Sequence, residues 1–512
     1  MTVPIVMTAV CSNGATNLAA TGIAGSNALC TLKSGYQNLL HQIEITANGK
    51  TIHDMQAFSN VYNNFKLLSS LSTTDLQSNA VSLGMSPMLD NEKSMRYFSA
   101  ANIAAQNGVG LTNNIAYPAN STLTVVAAQN ATANNSFNSA IQSRSSRYVD
   151  TSTNGAAFNR IYGAGGIMDA TALNAEFKPY YVINNDGGAT ASVMTWYDLA
   201  IIPLKYVVDG IDKIGLVKKM DIKVRCFFNC GSVQVSVTAP DTATVYRGVA
   251  SNFGGSCPLT VNFLGNTSLP ANTTLVTAGV FVARSPTTLG SSTAITIPAQ
   301  THTMTAARMY YSQVSLDISR DNEYITQNRQ KQVVYERILY NTDSNIVSGG
   351  NVSRLVNSGI KNPLAICIIP LLAKSASAIS LSQFESPYDT CPATYSPISL
   401  TQLQVSLGGV NVLNTQLSYT FENFLEQVAL AESHSSADLG LAVGVISQSW
   451  WESNRVYFID LSRGKQADKA SPRNVNVSFR NNSLVSIDVM YFTVYADKFV
   501  IDVETGIVND KV

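Results

Sequence analysis

The sequence predicts a mainly β protein built from two similar β domains in tandem. Three observations indicate this class. Apolar and polar residues alternate with period two in several segments, which is typical of strands that cover a core. A segment of ten residues recurs about 360 positions further along the chain. Helical patterns are few and short, so helices are expected as insertions between strands.

The alternation is clearest in segment 221–228, where apolar side chains occupy the even positions and charged side chains occupy positions 221, 223 and 225. Successive strand residues point to opposite faces, so this pattern predicts one buried and one exposed face. Segments 475–480 and 485–491 alternate in the same way, and polar residues between them predict a hairpin turn. Short helices are predicted over Ala57–Ser70, Val207–Val217 and Thr420–Glu432.

The internal repeat aligns Ile43–Ile52 with Leu403–Val412, strand for strand. Each copy has a turn dipeptide at the same place, Asn48-Gly49 or Gly408-Gly409, and such dipeptides favour tight hairpins. The likeness continues to Phe65 in the first copy and Phe424 in the second.

Further downstream, each copy reaches a tryptophan and then an alternating strand. These are Trp196 with Met220–Phe228, and Trp450 with Arg455–Leu461. The polar segment Asp321–Lys331 is the expected boundary, because domains divide where few contacts cross. The sequence therefore predicts a first domain over 1–320 and a second over 321–512.

The first copy carries a long insertion, at about 85–190. Phe65 and Trp196 are 131 positions apart, whereas Phe424 and Trp450 are 26 apart. Much of the insertion, Ala101–Asn159, is rich in Ala, Asn, Ser and Thr and has few large apolar residues. Such a segment is typical of an exposed elaboration, so we expect it to project outward.

The composition favours a protein that packs against copies of itself. Of the 512 residues 45% are hydrophobic, enough for a large core, and only 13% are charged. The 33 basic and 33 acidic side chains cancel, which weakens repulsion between molecules. No basic run is longer than Lys218-Lys219, so nucleic acid is not expected as the main partner.

The chain is expected to be made inside the cell and to have no transmembrane segment. No basic region precedes an apolar stretch at the N-terminus, so no secretion signal is predicted. No apolar run approaches the roughly 20 residues that a spanning helix requires. Seven scattered cysteines, an odd number, are typical of reduced thiols in a reducing compartment.

No motif in the sequence predicts catalysis, a cofactor or a metal site. The four histidines lie far apart in sequence and away from other metal-ligand types. Cys226 and Cys230 could form a pair, but Cys226 falls on the apolar face of a predicted strand. The Gly-rich pieces fit neither a phosphate-binding loop nor a nucleophile elbow. We therefore expect no enzyme activity.

Six residues are candidates for contacts between domains or subunits. Trp450 and Trp451 are adjacent, so on a strand one indole would fill the core and the other could meet a neighbouring subunit or the insertion. Arg308, Tyr310, Tyr311 and Tyr324 precede the predicted second domain. Arg and Tyr are enriched at interfaces, so these four could join the two domains or adjacent protomers.

Several short segments, in the same order along the chain, resemble double jelly-roll major capsid proteins. The similarity is greatest to those of polinton-like viruses, adintoviruses and virophages, which are double-stranded DNA viruses of eukaryotes. The resemblance is strongest over 305–512 and weaker over 30–75 and 190–260. The segments are Arg308-Met309-Tyr310, Glu323-Tyr324-Ile325, 355–363, Ile368-Ile369-Pro370, 386–392, Phe421-Glu422-Asn423-Phe424 and 497–506.

The resemblance implies two tandem eight-stranded β jelly rolls in each chain. It implies a homotrimer whose six jelly rolls form a pseudo-hexagonal capsomer, with capsomers tiling an icosahedral virion shell. The predicted helix over Val207–Val217 would be the one that this fold places between two strands. The implied partners are further copies of the chain, a penton protein, and minor capsid or cement proteins.

Two other functions are compatible with a β scaffold. A β-sandwich adhesin or glycan-binding protein would share the low charge and the Asn and Thr content. Such a protein would normally bring a secretion signal and often calcium-binding Asp clusters, and the sequence predicts neither. A hydrolase would need paired carboxylates in a concave site, and no such pair stands out in the sequence.

Overall fold

The computed structural model confirms a mainly β protein with few helices. The second half of the chain builds two sheets, one of five strands and one of four. The structure describes residues 1–12, 28–32, 35–55, 57–85, 123–125, 181–184, 191–228, 232–238, 244–251, 259–263, 274–282, 308–373, 398–414, 418–431, 443–453, 455–462, 471–483 and 486–509. Most of the predicted insertion at 85–190 lies outside these residues.

The strands of the second half pair as a folded-over hairpin. The first strand pairs with the eighth, the second with the seventh, the third with the sixth and the fourth with the fifth, all antiparallel. In one sheet the order is first, eighth, third, sixth, and in the other it is second, seventh, fourth, fifth. This nested order in two sheets is the jelly roll. The strands are β13 Gln330–Ile346, β14 Asn351–Ile360, β15 Pro363–Leu372, β16 Leu400–Leu407, β17 Val410–Asn414, β18 Tyr457–Asp460, β19 Arg473–Asn481 and β20 Ile487–Asp502, with β21 Val508–Asn509 added to β20.

The described strands of the first half are β1 Thr2–Ser12, β2 Ala28–Leu32, β3 Leu40–Ala47, β4 Lys50–Met55, β5 Leu123–Val125, β6 Tyr181–Asn184, β7 Ala191–Ile201, β8 Ile222–Phe228, β9 Ser232–Thr238, β10 Thr244–Ser251, β11 Leu259–Phe263 and β12 Thr274–Val282. They form three sheets, in the orders β5-β10-β9-β12-β1-β7-β6, β4-β3-β8 and β11-β2.

The predicted repeat is present as a shared pairing pattern. The hairpin β3–β4 corresponds to β16–β17, and both turns have two residues with positive φ, Asn48-Gly49 and Gly408-Gly409. In the first half β1 lies between β12 and β7, as β15 lies between β20 and β18. In the same way β3 lies between β4 and β8, as β16 lies between β17 and β19. The described strands thus supply six equivalents of the second jelly roll, and the predicted count of eight for the first stays a prediction.

The predicted alignment downstream of the helices is wrong by one strand. The sequence pattern pairs Met220–Phe228 with Arg455–Leu461, but β8 pairs with β3 and therefore corresponds to β19. The counterpart of β18 is β7. Trp196 lies in β7, whereas Trp450 lies in a helix, so the two tryptophans are not equivalent.

Two of the three predicted helices are confirmed, and the third is wrong. The helices are α1 Ser59–Ser70, α2 Thr73–Leu83, α3 Ile318–Gln327, α4 Phe421–Leu430 and α5 Gln448–Ser453. Residues 207–217 instead form turns after a short 3-10 segment, Leu204–Tyr206. Gly210 and Gly215 have φ of 83° and 68°, which no right-handed helix contains. A Cβ on Gly210 would lie 2.7 Å from the Cβ of Tyr335, so this bend brings the segment against β13.

The buried apolar side chains form one cluster that runs through both halves. It includes Ile43 and Ile45 of β3 and their counterparts Leu403 and Val405 of β16, all 0% exposed. Among the described residues, no helix combines the length and the apolar character needed to cross a membrane.

Candidate interdomain site

Helix α1 is the element that joins the two halves. Every side chain from Ser59 to Ser69 is buried except Lys66, although the helix is only 12 residues long. A helix buried on nearly all sides lies between layers of a core and does not cover one face of it. Helix α1 therefore packs against the first half on one side and against other elements of the core on the opposite side.

Aromatic rings carry that contact. Phe65 of α1 lies 6.1 Å from Phe424 of α4 and 5.7 Å from Phe458 of β18, measured between ring centroids. Tyr62 lies 6.0 Å from Phe492 of β20. These tilted pairs are within the range in which aromatic side chains attract beyond simple burial of area. The contact between the halves is thus a continuous apolar core.

A polar cavity of about 90 Å³ lies beside this aromatic contact. Its lining comes from β4, α1, the 204–209 segment and β13, so both halves contribute. The charged or polar side chains that face it include His53, Tyr62, Lys66, Lys205, Asp209 and Glu336.

Ionic and hydrogen-bond contacts cross the cavity between the two halves. Lys66 Nζ lies 2.5 Å from Glu336 Oε2, and both side chains are largely shielded from water. Asp209 Oδ2 accepts a hydrogen bond from the backbone N–H of Glu336 at 2.9 Å. Removing either partner of a shielded ion pair leaves an uncompensated charge, so these contacts fix the position of β13 against the first half.

His53 lies in the wall of this cavity and is 5% exposed. Its ring faces that of Tyr335 at 5.8 Å, and neither ring nitrogen has a hydrogen-bond partner among the described residues. Burial lowers the pKa of His53 to about 4, with a further decrease from Arg337 and Lys66 and an opposing increase from Asp209. The imidazole is therefore neutral at neutral pH.

A second polar contact between the halves is formed by the side chain of Asn48. Asn48 Nδ2 donates to the carbonyls of Lys219 and Thr505, at 3.3 and 3.4 Å, and Asn48 Oδ1 accepts from the N–H of Asp221 at 2.8 Å. Gly506 has φ of 71°, and a Cβ built on it would lie 1.9 Å from the carbonyl oxygen of Lys219. The turn after β20 therefore fits against the first half only with glycine.

Gly506→Ala is expected to destabilise the protein by about 2 kcal/mol more than Gly409→Ala, because the Lys219 carbonyl must move to admit a methyl group. Gly409 is a matched control, with φ of 86° and no atom within 4 Å of the position that a methyl group would take. Both substitutions carry the same conformational cost for positive φ. Urea denaturation of the two variants measures the difference, and equal losses would contradict this close contact.

The structure brings Tyr324 into the contact between the halves, pairs Arg308 with the start of its own half, and leaves Tyr310 and Tyr311 outside both contacts. Arg308 exchanges backbone hydrogen bonds with Thr2 at 2.8 and 2.9 Å. Tyr324 donates its hydroxyl proton to the carbonyl of Leu216 at 3.2 Å and accepts from Lys331 Nζ at 2.8 Å. Tyr310 and Tyr311 are 66% and 80% exposed.

Trp450 and Trp451 lie in helix α5, so the expectation that they alternate on a strand is wrong. Both are buried, at 1% and 2% exposure. Trp451 Nε1 donates to the carbonyl of Val456 at 2.8 Å, and Arg455 covers the ring at 4.1 Å from its centroid. Within one chain both indoles pack in the second half, and neither presents a surface to a neighbouring subunit.

The described residues offer little for chemistry. No group of three or more His, Cys, Asp or Glu side chains among them could hold a metal ion. Burial raises the pKa of the Cys226 thiol to about 11, so this cysteine is a poor nucleophile at neutral pH. Cys230 lies outside the described residues. What the arrangement does physically is to join the two halves through a shared apolar core and the contacts around one cavity.

Sequence reasoning missed the residues that do this. It used Phe65 only to align the repeats, and it considered His53 only as one of four histidines that lie far apart in sequence. Lys66 and Glu336 are 270 positions apart, and no local pattern connects them. The available signal was the composition of α1, which is apolar and rich in Asn and has one charged residue in 12. A helix with so few charged side chains has no strongly polar face for solvent, which indicates burial on most sides.

Comparison with known proteins gives structural similarities only. No protein-family model and no curated protein matches the sequence. Solved structures that match include a chain of the Sputnik virophage determined by cryo-EM, with 8% identity, 100% of this chain and 82% of that chain covered, and a TM-score of 0.39. The mavirus major capsid protein matches with 10% identity, coverages of 100% and 83%, and a TM-score of 0.38. The Faustovirus major capsid protein matches with 8% identity, coverages of 97% and 84%, and a TM-score of 0.34.

Proposed function

We propose that this protein is the major capsid protein of a double-stranded DNA virus, a structural subunit of an icosahedral shell. The observation that carries the proposal is the fixed union of two related β sandwiches through the buried helix α1. Three copies of a chain with two similar sandwiches give six similar units around a ring, so a trimer can occupy a hexagonal position. A shell subunit of this kind needs rigidity between its sandwiches, and the aromatic contact supplies it.

The division of the chain is part of the same proposal. The first jelly roll would span 1–320 and the second 321–512, with the elaboration at about 85–190 on the outer surface of the shell. Helix α3 and the start of β13 at Gln330 support a boundary near this position. Assembly partners would be further trimers, a penton protein and minor capsid or cement proteins, and the place of function would be the virion.

The surface proposed for trimer contacts is the connector before α3. Five large apolar side chains are exposed within the nine residues 310–318, the last of them at the start of α3, at 41% to 80% of their full area. Aromatic residues are enriched in the buried centres of interfaces, and this cluster has two adjacent tyrosines. The residues are Tyr310, Tyr311, Val314, Leu316 and Ile318.

The first test is the mass of the purified protein by light scattering, followed by negative-stain imaging of the same peak. We expect a species near three times 54.8 kDa with a hexagonal outline, or fragments of shell. A monomer that stays monomeric across salt and pH would overturn the capsid proposal and would call for a glycan-binding screen.

The double substitution Tyr310→Ser with Tyr311→Ser is expected to weaken trimer formation by roughly tenfold or more, since buried aromatic residues dominate interface energies. Both side chains are exposed in the single chain, so folding should be unaffected. Val347→Ser is the matched control, because Val347 is 57% exposed on a turn of the second half. Sedimentation at several concentrations measures the effect, and equal association of both variants would exclude the connector from the interface.

A further inference from the structure

The turn between β3 and β4 carries a side chain that its counterpart in the second half lacks. Asn48-Gly49 occupies this turn, whereas Gly408-Gly409 occupies the turn between β16 and β17. All four residues have positive φ, which glycine adopts without strain. The turn conformation therefore does not by itself require asparagine at position 48, and the Asn48 side chain has a separate role.

The side-chain amide of Asn48 bonds through both of its polar atoms. Oδ1 accepts from the N–H of Asp221 at 2.8 Å, which assigns the oxygen to that side of the amide. Nδ2 donates to the carbonyls of Lys219 and Thr505 at 3.3 and 3.4 Å. Thr505 is in the second half, so the amide nitrogen is the atom through which this side chain reaches across the contact.

The residue that follows Asn48 gives this amide nitrogen a route of loss. The backbone nitrogen of Gly49 can attack Cγ of Asn48, and glycine favours the attack because it has no side chain and its backbone is the freest. A bond forms between this nitrogen and Cγ, the bond from Cγ to Nδ2 breaks, and Nδ2 leaves as ammonia with the proton from the Gly49 nitrogen. Water then opens the cyclic imide and leaves aspartate or isoaspartate at position 48.

We propose that Asn48 is a deamidation site whose reaction is controlled by the contact between the two halves. While its hydrogen bonds to Lys219, Asp221 and Thr505 are formed, the side chain is held away from the attacking nitrogen. Local opening of the turn after β20 removes the bond to Thr505 and frees the amide, so the reaction follows the opening. This inference does not rest on the capsid proposal.

The reaction makes the opening permanent. A carboxylate has no proton to donate, so the product at position 48 loses both bonds that Nδ2 makes. It places a negative charge against the carbonyl oxygens of Lys219 and Thr505 instead. The bond to the N–H of Asp221 lies within the first half and can persist. Deamidation therefore weakens specifically the contact with the second half.

Peptide mapping by mass spectrometry tests whether the site reacts. The full chain is incubated at mildly alkaline pH, natively and in urea, and the residue at position 48 is followed over time. Mapping is needed because Asn107-Gly108 and Asn154-Gly155 are further Asn-Gly pairs. We expect conversion in both samples, roughly tenfold slower or more in the native protein, because there it waits for local opening. Conversion in urea alone would overturn the site, and equal rates would overturn control by the contact.

Two variants already introduced test the control directly. Gly506→Ala pushes the turn after β20 away from the Lys219 carbonyl, so it should speed conversion of Asn48 several-fold in the native protein. Gly409→Ala is the matched control, since nothing lies within 4 Å of its methyl position and it is in the other hairpin. It should leave the rate unchanged. Equal rates in the two variants would overturn the coupling to the contact.

A second pair of variants tests the consequence. Asn48→Asp supplies the product from synthesis, and Asn48→Gly recreates the turn of the second half and cannot react. Amide hydrogen exchange should show lower protection at 502–507 in Asn48→Asp than in the wild-type protein. Asn48→Gly should lose less protection, because it removes the bond to Thr505 but adds no charge beside the carbonyl oxygens. Wild-type protection in Asn48→Asp would overturn the permanent weakening.

Discussion

Replacing Phe65 by alanine is expected to lower the free energy of unfolding by about 4 kcal/mol, within the usual range for a buried phenylalanine. Phe65 is 0% exposed and contacts Phe424 and Phe458 across the interdomain contact. The substitution therefore removes apolar burial and leaves a cavity between the halves. Phe227→Ala is the control, since Phe227 is 49% exposed and its loss should cost less than about 1 kcal/mol.

Calorimetry and a double-mutant cycle distinguish a shared core from two separate cores. We expect the wild-type chain to unfold in one transition and the Phe65→Ala variant to separate into two, because the contact that couples the halves is weakened. The cycle with Phe424→Ala should give a coupling energy of about 1 kcal/mol, as for other residues in contact. Additive losses with an unchanged single transition would show that Phe65 does not couple the halves.

The strands were predictable where one face of a strand meets water. Residues 222–228 and 473–481 alternate in sequence because one side of each faces the core, and the structure has strands there. The hairpin turns were predictable for a local reason too, since Asn48-Gly49 and Gly408-Gly409 adopt the positive φ values that such residues tolerate. Local conformational preference and burial period thus determine most of the second half.

The predictions that were wrong concern places where distant contacts override local pattern. Residues 207–217 have apolar residues at helical spacing, but Gly210 and Gly215 turn the chain so that it packs on β13. Adjacent Trp450 and Trp451 fit alternation across a strand equally well. In the structure both lie in helix α5 and both are buried in the core. The repeated hairpin, β3–β4 and β16–β17, does not predict the conformation of this later segment.

The interdomain site was not predictable, because its parts are distant in sequence and individually ordinary. His53 lies in an alternating strand, Asp209 in a turn and Glu336 in another strand, and only folding brings them to one cavity. Tyr310 and Tyr311 were candidates for contacts between domains or subunits on their position and residue type, and that role stays a prediction. Their exposure, and the contacts of Tyr324 beside them, required the structure.

Acid is expected to destabilise the protein through His53. In the unfolded chain this histidine takes up a proton near its ordinary pKa of 6.5, whereas in the folded protein burial lowers the pKa to about 4. Between these values the unfolded state binds more protons than the folded state, so stability falls as the pH falls. The loss begins near pH 6.5, is complete near pH 4 and amounts to about 3 kcal/mol.

His53→Phe isolates this contribution from that of other acid-sensitive groups. Phenylalanine retains a ring against Tyr335 and carries no proton, so its stability should lack the His53 part of the pH dependence. We expect the wild-type protein to lose about 3 kcal/mol more than the variant between about pH 7 and pH 4, measured by urea denaturation at each pH. Parallel stability curves for the two proteins would contradict a neutral, buried His53.

The location of His53 determines what its protonation would do first. A charge on its ring would be buried and would lie near the cations of Arg337 and Lys66, opposed only in part by Asp209, and neither ring nitrogen has a hydrogen-bond partner among the described residues. The unfavourable energy of this charge would weaken the contact between β4 and β13, which are in different halves. Acid should therefore loosen the union of the two sandwiches before it unfolds either one. Protection factors, which correct amide hydrogen exchange for the intrinsic effect of pH, are expected to fall at about pH 5 in 50–55 and 333–338 of the wild-type protein, and to fall less in His53→Phe.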